Sequence, residues 1–322
     1  MIKQEILERL KPVTDEERAI LDGRTTVDTS IYTLEDKSVI SSKKLLGDTK
    51  QISVRLHTRF IHFPEHTHDF VEAVYMCSGK TSHIINGKEL CLGEGELLFL
   101  GQGASQEILP AGEDDVAVNF IILPSFFNKT LEMLGAEDSP IKDFILESLL
   151  GGENRGYLHF KVKDVLPVQN LVENLIWTLM SEMPNKRNIN QTTMGLLFMQ
   201  LLNHTDKLVY ERREDAAIMG IFRYIEENYR SGSLKEAAQL LHYDFYWLSH
   251  EIHERTGMTY TEHLQRKRLS QAAYLLKTTR MPVESVAEAV GYENKSYFHR
   301  IFTQKFGTTP KKYRVSCIEK EL

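Results

Sequence analysis

Apolar positions along this chain change their period twice, and each change marks a boundary. Over 1–22, Ile6, Leu7, Leu10, Ile20 and Leu21 are scattered anchors among charged residues, which predicts an amphipathic helix. From about 25 to 125 the runs shorten. Positions 52–56, 71–76, 82–85, 96–100 and 116–123 are alternating or continuous apolar stretches that predict strands. Asn86-Gly87 between two of them is a hairpin signal, and Gly79, Gly93, Gly95, Gly101 and Gly103 punctuate the rest, so a small β-barrel or sandwich is expected. From 128 to about 210 the helical period returns in three stripes. These are Ile141, Phe144, Ile145 and Leu149, then Leu171, Leu175 and Leu179, then Met194, Leu197, Phe198, Leu201 and Leu202. Gly151-Gly152 through Gly156 and Pro184-Asn185-Lys186-Arg187 separate them as loops. The charged run Tyr210-Glu211-Arg212-Arg213-Glu214-Asp215 predicts a domain junction.

Beyond the junction the pattern is helical and repeated. Within 282–314, Pro282 suits a first helical position, Val283, Val286, Ala287 and Val290 share a face, and Gly291 ends the periodic run. After Tyr292 and a polar turn, Tyr297, Phe298, Ile301, Phe302 and Phe306 form a second stripe, with Lys295, Ser296, His299 and Arg300 opposite it. A supporting helix, a Gly-containing turn and a second helix with cationic and hydrogen-bonding groups at its start describe a helix-turn-helix. A diverged copy begins at Ser233. Ala238 and Tyr243 match Ala287 and Tyr292 at an offset of 49, while Leu248, His250 and Gly257 match Phe298, Arg300 and Gly307 at 50. Between the copies, Leu264, Leu269, Ala272, Ala273, Leu275 and Leu276 predict one helix over 260–277. Its length, roughly 27 Å, suits two reading helices about one DNA turn, roughly 34 Å, apart.

The second copy resembles the signature of the AraC/XylS family of bacterial transcription regulators. The matching residues are Val286-Ala287, Gly291-Tyr292, Ser296-Tyr297-Phe298, Arg300, Phe302 and Gly307-Thr308-Thr309-Pro310-Lys311-Lys312-Tyr313-Arg314. The first copy departs from the family's Leu-x-Arg-x-Phe-Lys pattern. After Leu248 it has His250-Glu251-Ile252-His253, so weaker or pH-sensitive contacts are expected there. By position the base-reading candidates are Tyr246 and His250 in the first unit and Lys295, Ser296, His299 and Arg300 in the second. Arg268, Lys311, Lys312 and Arg314 are candidates for DNA phosphate, with a structural salt bridge as the alternative for Arg268. Trp247 is expected to pack.

His66-Thr67-His68-Asp69-Phe70-Val71-Glu72 followed by Gly79 resembles the first cupin motif. His66, His68 and Glu72 share strand parity and could face one cavity, as metal ligation would require. Where the second cupin motif has a histidine this chain has Gln106, so no metal, cofactor or catalytic residue is assigned. Arg55, His66, His68, Glu72, His83 and Gln106 are candidates for an effector pocket. The family resemblance implies sensing of a small molecule such as a sugar.

Composition narrows the partners. The 322 residues are 42% apolar and 26% charged, in the range of a globular protein of about two domains. No stretch approaches the roughly 18 unbroken apolar residues of a membrane span, and a cytoplasmic location is expected. Cys77, Cys91 and Cys317 lack metal or redox spacing and are expected as incidental or buried thiols. Net charge is −6, but 217–322 carries 16 Lys+Arg against 12 Asp+Glu, so only the C-terminal part suits a polyanion.

The expected organisation mixes α and β in two domains. A helical segment (1–24) precedes a cupin-like sensor barrel (25–125) and a helical packing or dimerisation region (126–210). A linker (211–216) leads to an all-α double helix-turn-helix (217–322). The expected function is sequence-specific transcription regulation on double-stranded promoter or operator DNA, as a homodimer, with RNA polymerase a candidate partner and no membrane. The alternatives are a metal-dependent cupin enzyme with an accessory helical domain, and a DNA-binding regulator that needs no ligand.

Overall fold

Pro12 cannot donate a backbone hydrogen bond, and Thr14 opens a new helix two residues later, so the N-terminal segment expected as one helix is two. In this computed structural model they are α1 (Gln4–Leu10) and α2 (Asp15–Leu21). Thr14 and Glu17 form a reciprocal capping box at the start of α2. Ile6, Leu10 and Ile20 turn inward, whereas Leu21 is exposed. The structure describes residues 4–34, 38–47, 50–135, 139–150, 155–210 and 216–319, so most of the loop expected at 151–156 and most of the junction expected at 211–216 lie outside it. The chain divides into two units, Met1–Leu149 with Glu153–Arg213, and Leu150–Gly152 with Glu214–Leu322.

Among the described residues the first unit has eleven strands. They are β1 (Val39–Ile40), β2 (Ile52–Leu56), β3 (Phe63–His68), β4 (Val71–Ser78), β5 (Lys80–Ile85), β6 (Lys88–Gly93), β7 (Leu97–Leu100), β8 (Gln106–Ile108), β9 (Val116–Ile122), β10 (Tyr157–Phe160) and β11 (Leu208–Tyr210). They form two open sheets, ordered β1-β3-β8-β5-β6 and β11-β10-β7-β4-β9-β2, in place of a closed barrel. Asn86 and Gly87, both at positive φ, turn β5 into β6. The sheets meet through Val74, Met76, Leu98 and Leu100 of the larger and Ile85 and Leu92 of the smaller.

The helices of this unit are α1, α2, α3 (Ser42–Leu46), α4 (Asn128–Met133), α5 (Pro140–Leu150), α6 (Leu166–Met180) and α7 (Lys186–Leu202). Ala73, Tyr75, Phe99 and Phe120 on the outer face of the larger sheet share a core with Phe144 of α5, Val172 and Ile176 of α6, and Phe198 of α7. Strands β4 and β9 are therefore covered on both faces, which is why they read as continuous apolar runs. Strands β10 and β11 fall inside the region expected to be helical. They extend the larger sheet through β7, with His159 opposite Leu98. His66 and His68 lie on β3 while Glu72 lies on β4, so the three are not residues of one strand.

The second unit holds α8 (Ala216–Asn228), α9 (Leu234–Leu240), α10 (Phe245–Thr256), α11 (Tyr260–Thr278), α12 (Val283–Ala289), α13 (Lys295–Phe306) and α14 (Pro310–Glu319). Its boundaries follow from local chemistry. Ser233 and Thr259 make capping boxes with Glu236 and Glu262, and Asp244 and Asn294 cap α10 and α13. Gly257 and Gly307 end those two helices in the left-handed conformation. Two small cores result, one around Phe222, Leu248 and Ile252 and the other around Leu276, Phe298 and Phe302.

The turns inside the two helix-turn-helix units reach positive φ with different residues. Gly291 has φ 91°, and a Cβ there would run into the carbonyl of Arg230; the residue 49 positions earlier, His242, adopts φ 58° with a full side chain. Gly307 also has positive φ, but nothing lies near its added Cβ. Gly307→Ala is expected to cost about 1–2 kcal/mol from its left-handed φ alone. Gly291→Ala carries the same penalty plus the carbonyl collision. Urea unfolding of the two variants should show the larger loss at Gly291.

Candidate nucleic-acid interface and effector pocket

Helix α13 begins at the Asn294 cap, whose side chain accepts from the Tyr297 N–H, and this fixes the direction in which its first turns present side chains. Lys295, Ser296 and Arg300 are exposed there and His299 is half-buried. The Arg300 guanidinium lies 5.3 Å from the centre of the Tyr297 ring, and Lys295 pairs with Glu288 at 3.2 Å on the surface. All four second-unit candidates therefore sit on the first two turns of one helix, above the buried Phe298 and Phe302.

Helix α10 begins equivalently at Asp244, which accepts from the Tyr246 and Trp247 N–H groups. Tyr246 is 80% exposed and His250 is exposed. Trp247, expected to pack, is 45% exposed and stacks on Tyr243 with ring centres 5.1 Å apart. The exposed Phe245 completes an aromatic surface that sequence reasoning did not assemble, although its residues are contiguous. Glu251 pairs with Arg255 one turn later at 2.8 Å.

The four phosphate candidates separate into two kinds. Lys311 and Lys312 are exposed on α14. Arg268 donates from Nε to the Tyr229 carbonyl (2.6 Å) and from its terminal nitrogen to the Arg230 carbonyl (2.9 Å), in place of the structural salt bridge considered for it. Arg314 donates to the carbonyls of Leu276 (3.2 Å) and Met281 (2.5 Å). Both arginines fasten segments of the module to one another, so DNA phosphate would have to compete with internal acceptors.

In the first unit a cavity of about 30 Å³ opens among β2, β3, β4 and β9. Three of the six pocket candidates, Arg55, His66 and Glu72, line it. His68, His83 and Gln106 are buried but do not line it. His68 lies against His66 with ring centres 4.9 Å apart, and Gln106 donates to His83 Nδ1 at 3.1 Å. The cavity also takes in Tyr32, His57, Thr58 and Asn119. Asn119 carried a signal, as the one polar residue in the run VAVNFII of β9. Glu16 carried none, and its carboxylate accepts from the Tyr32 hydroxyl (2.8 Å) and from Arg55 (3.2 Å).

Burial dominates the protonation of this site. It pushes Glu72 up to about 7, against the hydrogen bond from Asn119 Nδ2 (2.9 Å), and His66 down to about 4. His57 is lowered, and His68 and His83 are held well below the ordinary imidazole range, for the same reason. The rings are therefore neutral. Among the described residues no group of three His, Cys, Asp and Glu side chains is placed to hold a metal ion; His66 Nδ1 donates to the Pro64 carbonyl, and His68 Nε2 stands 3.8 Å from Glu72. Cys77 is buried and Cys91 exposed, both as free thiols.

Comparison with known proteins covers both units. A family model described as an AraC-like ligand binding domain matches residues 53–202, and one described as a helix-turn-helix domain matches 237–316. The HTH-type transcriptional activator RhaR of Escherichia coli (strain K12) is 24% identical over 260 residues, 78% of this chain and 87% of that protein. RhaR of Shigella flexneri is 24% identical over 257 residues with the same coverage. Among solved structures, apo ToxT from Vibrio cholerae aligns over 83% of this chain and 98% of its own, at 14% identity and a TM-score of 0.39. With a ligand-binding match over the β-sandwich and a helix-turn-helix match over the repeated module, the chain belongs to the AraC family of DNA-binding transcription regulators with an N-terminal ligand-binding domain.

Proposed function

We propose that this regulator reads operator DNA with α10 and α13 of each subunit of a homodimer, and that a small molecule held in the cavity of the first unit sets its DNA affinity. The observation that carries the DNA part is the pair of matched helix starts. Asp244 and Asn294 cap two helices whose opening turns present Tyr246 and His250 in one and Lys295, Ser296, His299 and Arg300 in the other. Helix α11, 19 residues and about 28 Å long, joins the two helix-turn-helix units and suits successive major grooves. Lys311 and Lys312 supply exposed charge for phosphate, a role that Arg268 and Arg314 are too engaged to share.

The relatives named above are activators, and activation through contact with RNA polymerase is the direction proposed here. No described helix is long and apolar enough to cross a membrane, and a cytoplasmic regulator without catalytic activity fits these features. Dimerisation is assigned to α7. Ile189, Leu196 and Met199 are each 40–43% exposed and recur at spacings that place them on one face of the helix.

These assignments are open to direct measurement. Arg300→Ala should weaken binding to a site selected from random DNA by about 1–3 kcal/mol and relax the preference at one position. Lys311→Ala should weaken all sequences alike and lower the salt slope by about one. Unchanged genome-wide occupancy in Arg300→Ala would remove α13 as the reading helix. For the dimer, sedimentation equilibrium of Leu196→Glu should show monomers at concentrations where the unaltered protein is dimeric, with the thermal unfolding midpoint little changed.

A further inference from the structure

Hydrogen-bond donors at the mouth of the first-unit cavity converge on Glu16. The Tyr32 hydroxyl donates to it (2.8 Å), and one Arg55 nitrogen donates both to Glu16 (3.2 Å) and to the Tyr32 oxygen (2.9 Å). The groups deeper in the wall have the opposite character. Asn119 donates from Nδ2 to Glu72 Oε1, so its Oδ1 accepts from His57 Nδ1 (2.9 Å), and the neutral His57 ring is left with a bare Nε2. The Pro64 carbonyl can only accept, so His66 Nδ1 carries the proton (2.7 Å) and His66 Nε2 is likewise a lone pair. Glu72 Oε2 and His57 Nε2 are buried with no hydrogen-bond partner among the described residues. His57, His66 and ionised Glu72 thus bring three acceptors to one cavity.

Complementarity, size and charge select the same ligand. A primary ammonium has three N–H donors and no acceptor, whereas a hydroxyl offers these three acceptors only one donor. A cavity of about 30 Å³ holds roughly one or two water molecules, which admits an ammonium head and not a sugar ring. Arg55 faces the cavity, but Glu16 compensates its charge, and Glu72 has no cationic partner among its hydrogen bonds. The rings of Tyr32, Phe63 and Phe70 complete a wall that suits a cation. We infer that the cavity binds the ammonium group of a primary amine, with Glu72, His57 and His66 accepting its three N–H groups. This rests on the reading of the first unit as the effector domain and narrows that reading to a ligand class.

Binding has a defined pH dependence. An ammonium stabilises ionised Glu72 and so lowers its pKa from the unliganded value near 7, while the amine itself stays protonated to about pH 10. The ligand's contribution is present above that value and fades as pH falls through it. His57, His66, His68 and His83 face the same interior, and burial holds all four below the ordinary imidazole range. Tyr32, raised to about 12, does not titrate there, and Arg55 and Glu16 face the cavity mouth as an ion pair.

The test uses the full-length protein and three additives at matched ionic strength: methylammonium chloride, tetramethylammonium chloride, which has the charge without N–H groups, and glycerol. Methylammonium alone should raise the thermal unfolding midpoint, more at pH 8 than at pH 6. Glu72→Gln should lower its apparent affinity about 10- to 100-fold. The comparison of additives on the unaltered protein does not depend on how the variant folds. Equal shifts from the two ammonium salts, an undiminished response in Glu72→Gln, or stabilisation by glycerol alone would each overturn the inference. Methylammonium binding that leaves DNA affinity unchanged would support the site while removing the regulatory reading. An effect of some other ligand on DNA affinity, with no methylammonium binding, would do the reverse.

Discussion

Arg59, 2% exposed, donates to both carboxylate oxygens of Glu17 at 2.7 and 3.0 Å and to the carbonyls of Glu113 (2.8 Å) and Lys11 (3.1 Å). A guanidinium taken out of water needs partners for its donors, and meeting that need ties α2 and the turn before it to the sandwich. Removing either member would leave the other charge buried alone, typically a loss of about 3–5 kcal/mol. The same constraint sorts the arginines of the second unit. Arg268 and Arg314 are half-buried, and backbone carbonyls absorb their donors. Arg300 is exposed and keeps its donors at the surface. Satisfaction of buried donors decides which cations remain free for a polyanion.

Lone pairs in the first unit obey the converse. Glu16, only partly exposed at the cavity mouth, collects the Tyr32 hydroxyl and Arg55, and that engagement leaves the deeper wall poor in donors. Burying an acceptor without a partner costs on the order of 1–3 kcal/mol. His57 and Glu72 both show such an atom, so the cavity wall holds a deficit that a ligand of the right donor pattern would relieve. A closed, fully satisfied interior would be more stable and would have nothing to recognise.

The repeated helical module was legible in the sequence because its determinants are local. Caps, left-handed glycines and apolar stripes act within a dozen residues, and Gly291 and Phe298 do what their spacing predicts. The sandwich was legible only in part. Strands β4 and β9 announce themselves by apolar runs, whereas β3, FPEHTH, is polar along most of its length and is a strand because β8 and β1 pair with it. Strand β10 is four residues long, and its pairing with β7 spans some sixty residues of chain, so no local pattern could place it. The pocket shows the same division. His66 and Glu72 stood out by motif and Asn119 by its polarity in an apolar strand, but Glu16 acquires its role from Arg55, 39 residues away.

The two helix-turn-helix units share a frame and differ in chemistry. Glu251 stands on α10 where an anion would oppose DNA phosphate, yet its pairing with Arg255 compensates the charge within one helical turn. What α10 presents at its start is aromatic surface from Phe245, Tyr246 and Trp247, and α13 presents Lys295 and Arg300. Counterion release scales with phosphates neutralised, so a contact made by the aromatic helix responds less to salt than one made by the cationic helix. If both helices meet DNA as proposed, these side chains imply shape-dependent contact in one unit and charge-dependent contact in the other. His242, holding a left-handed turn with a side chain where the second unit uses Gly291, shows that the first copy has kept the backbone path while its surface diverged.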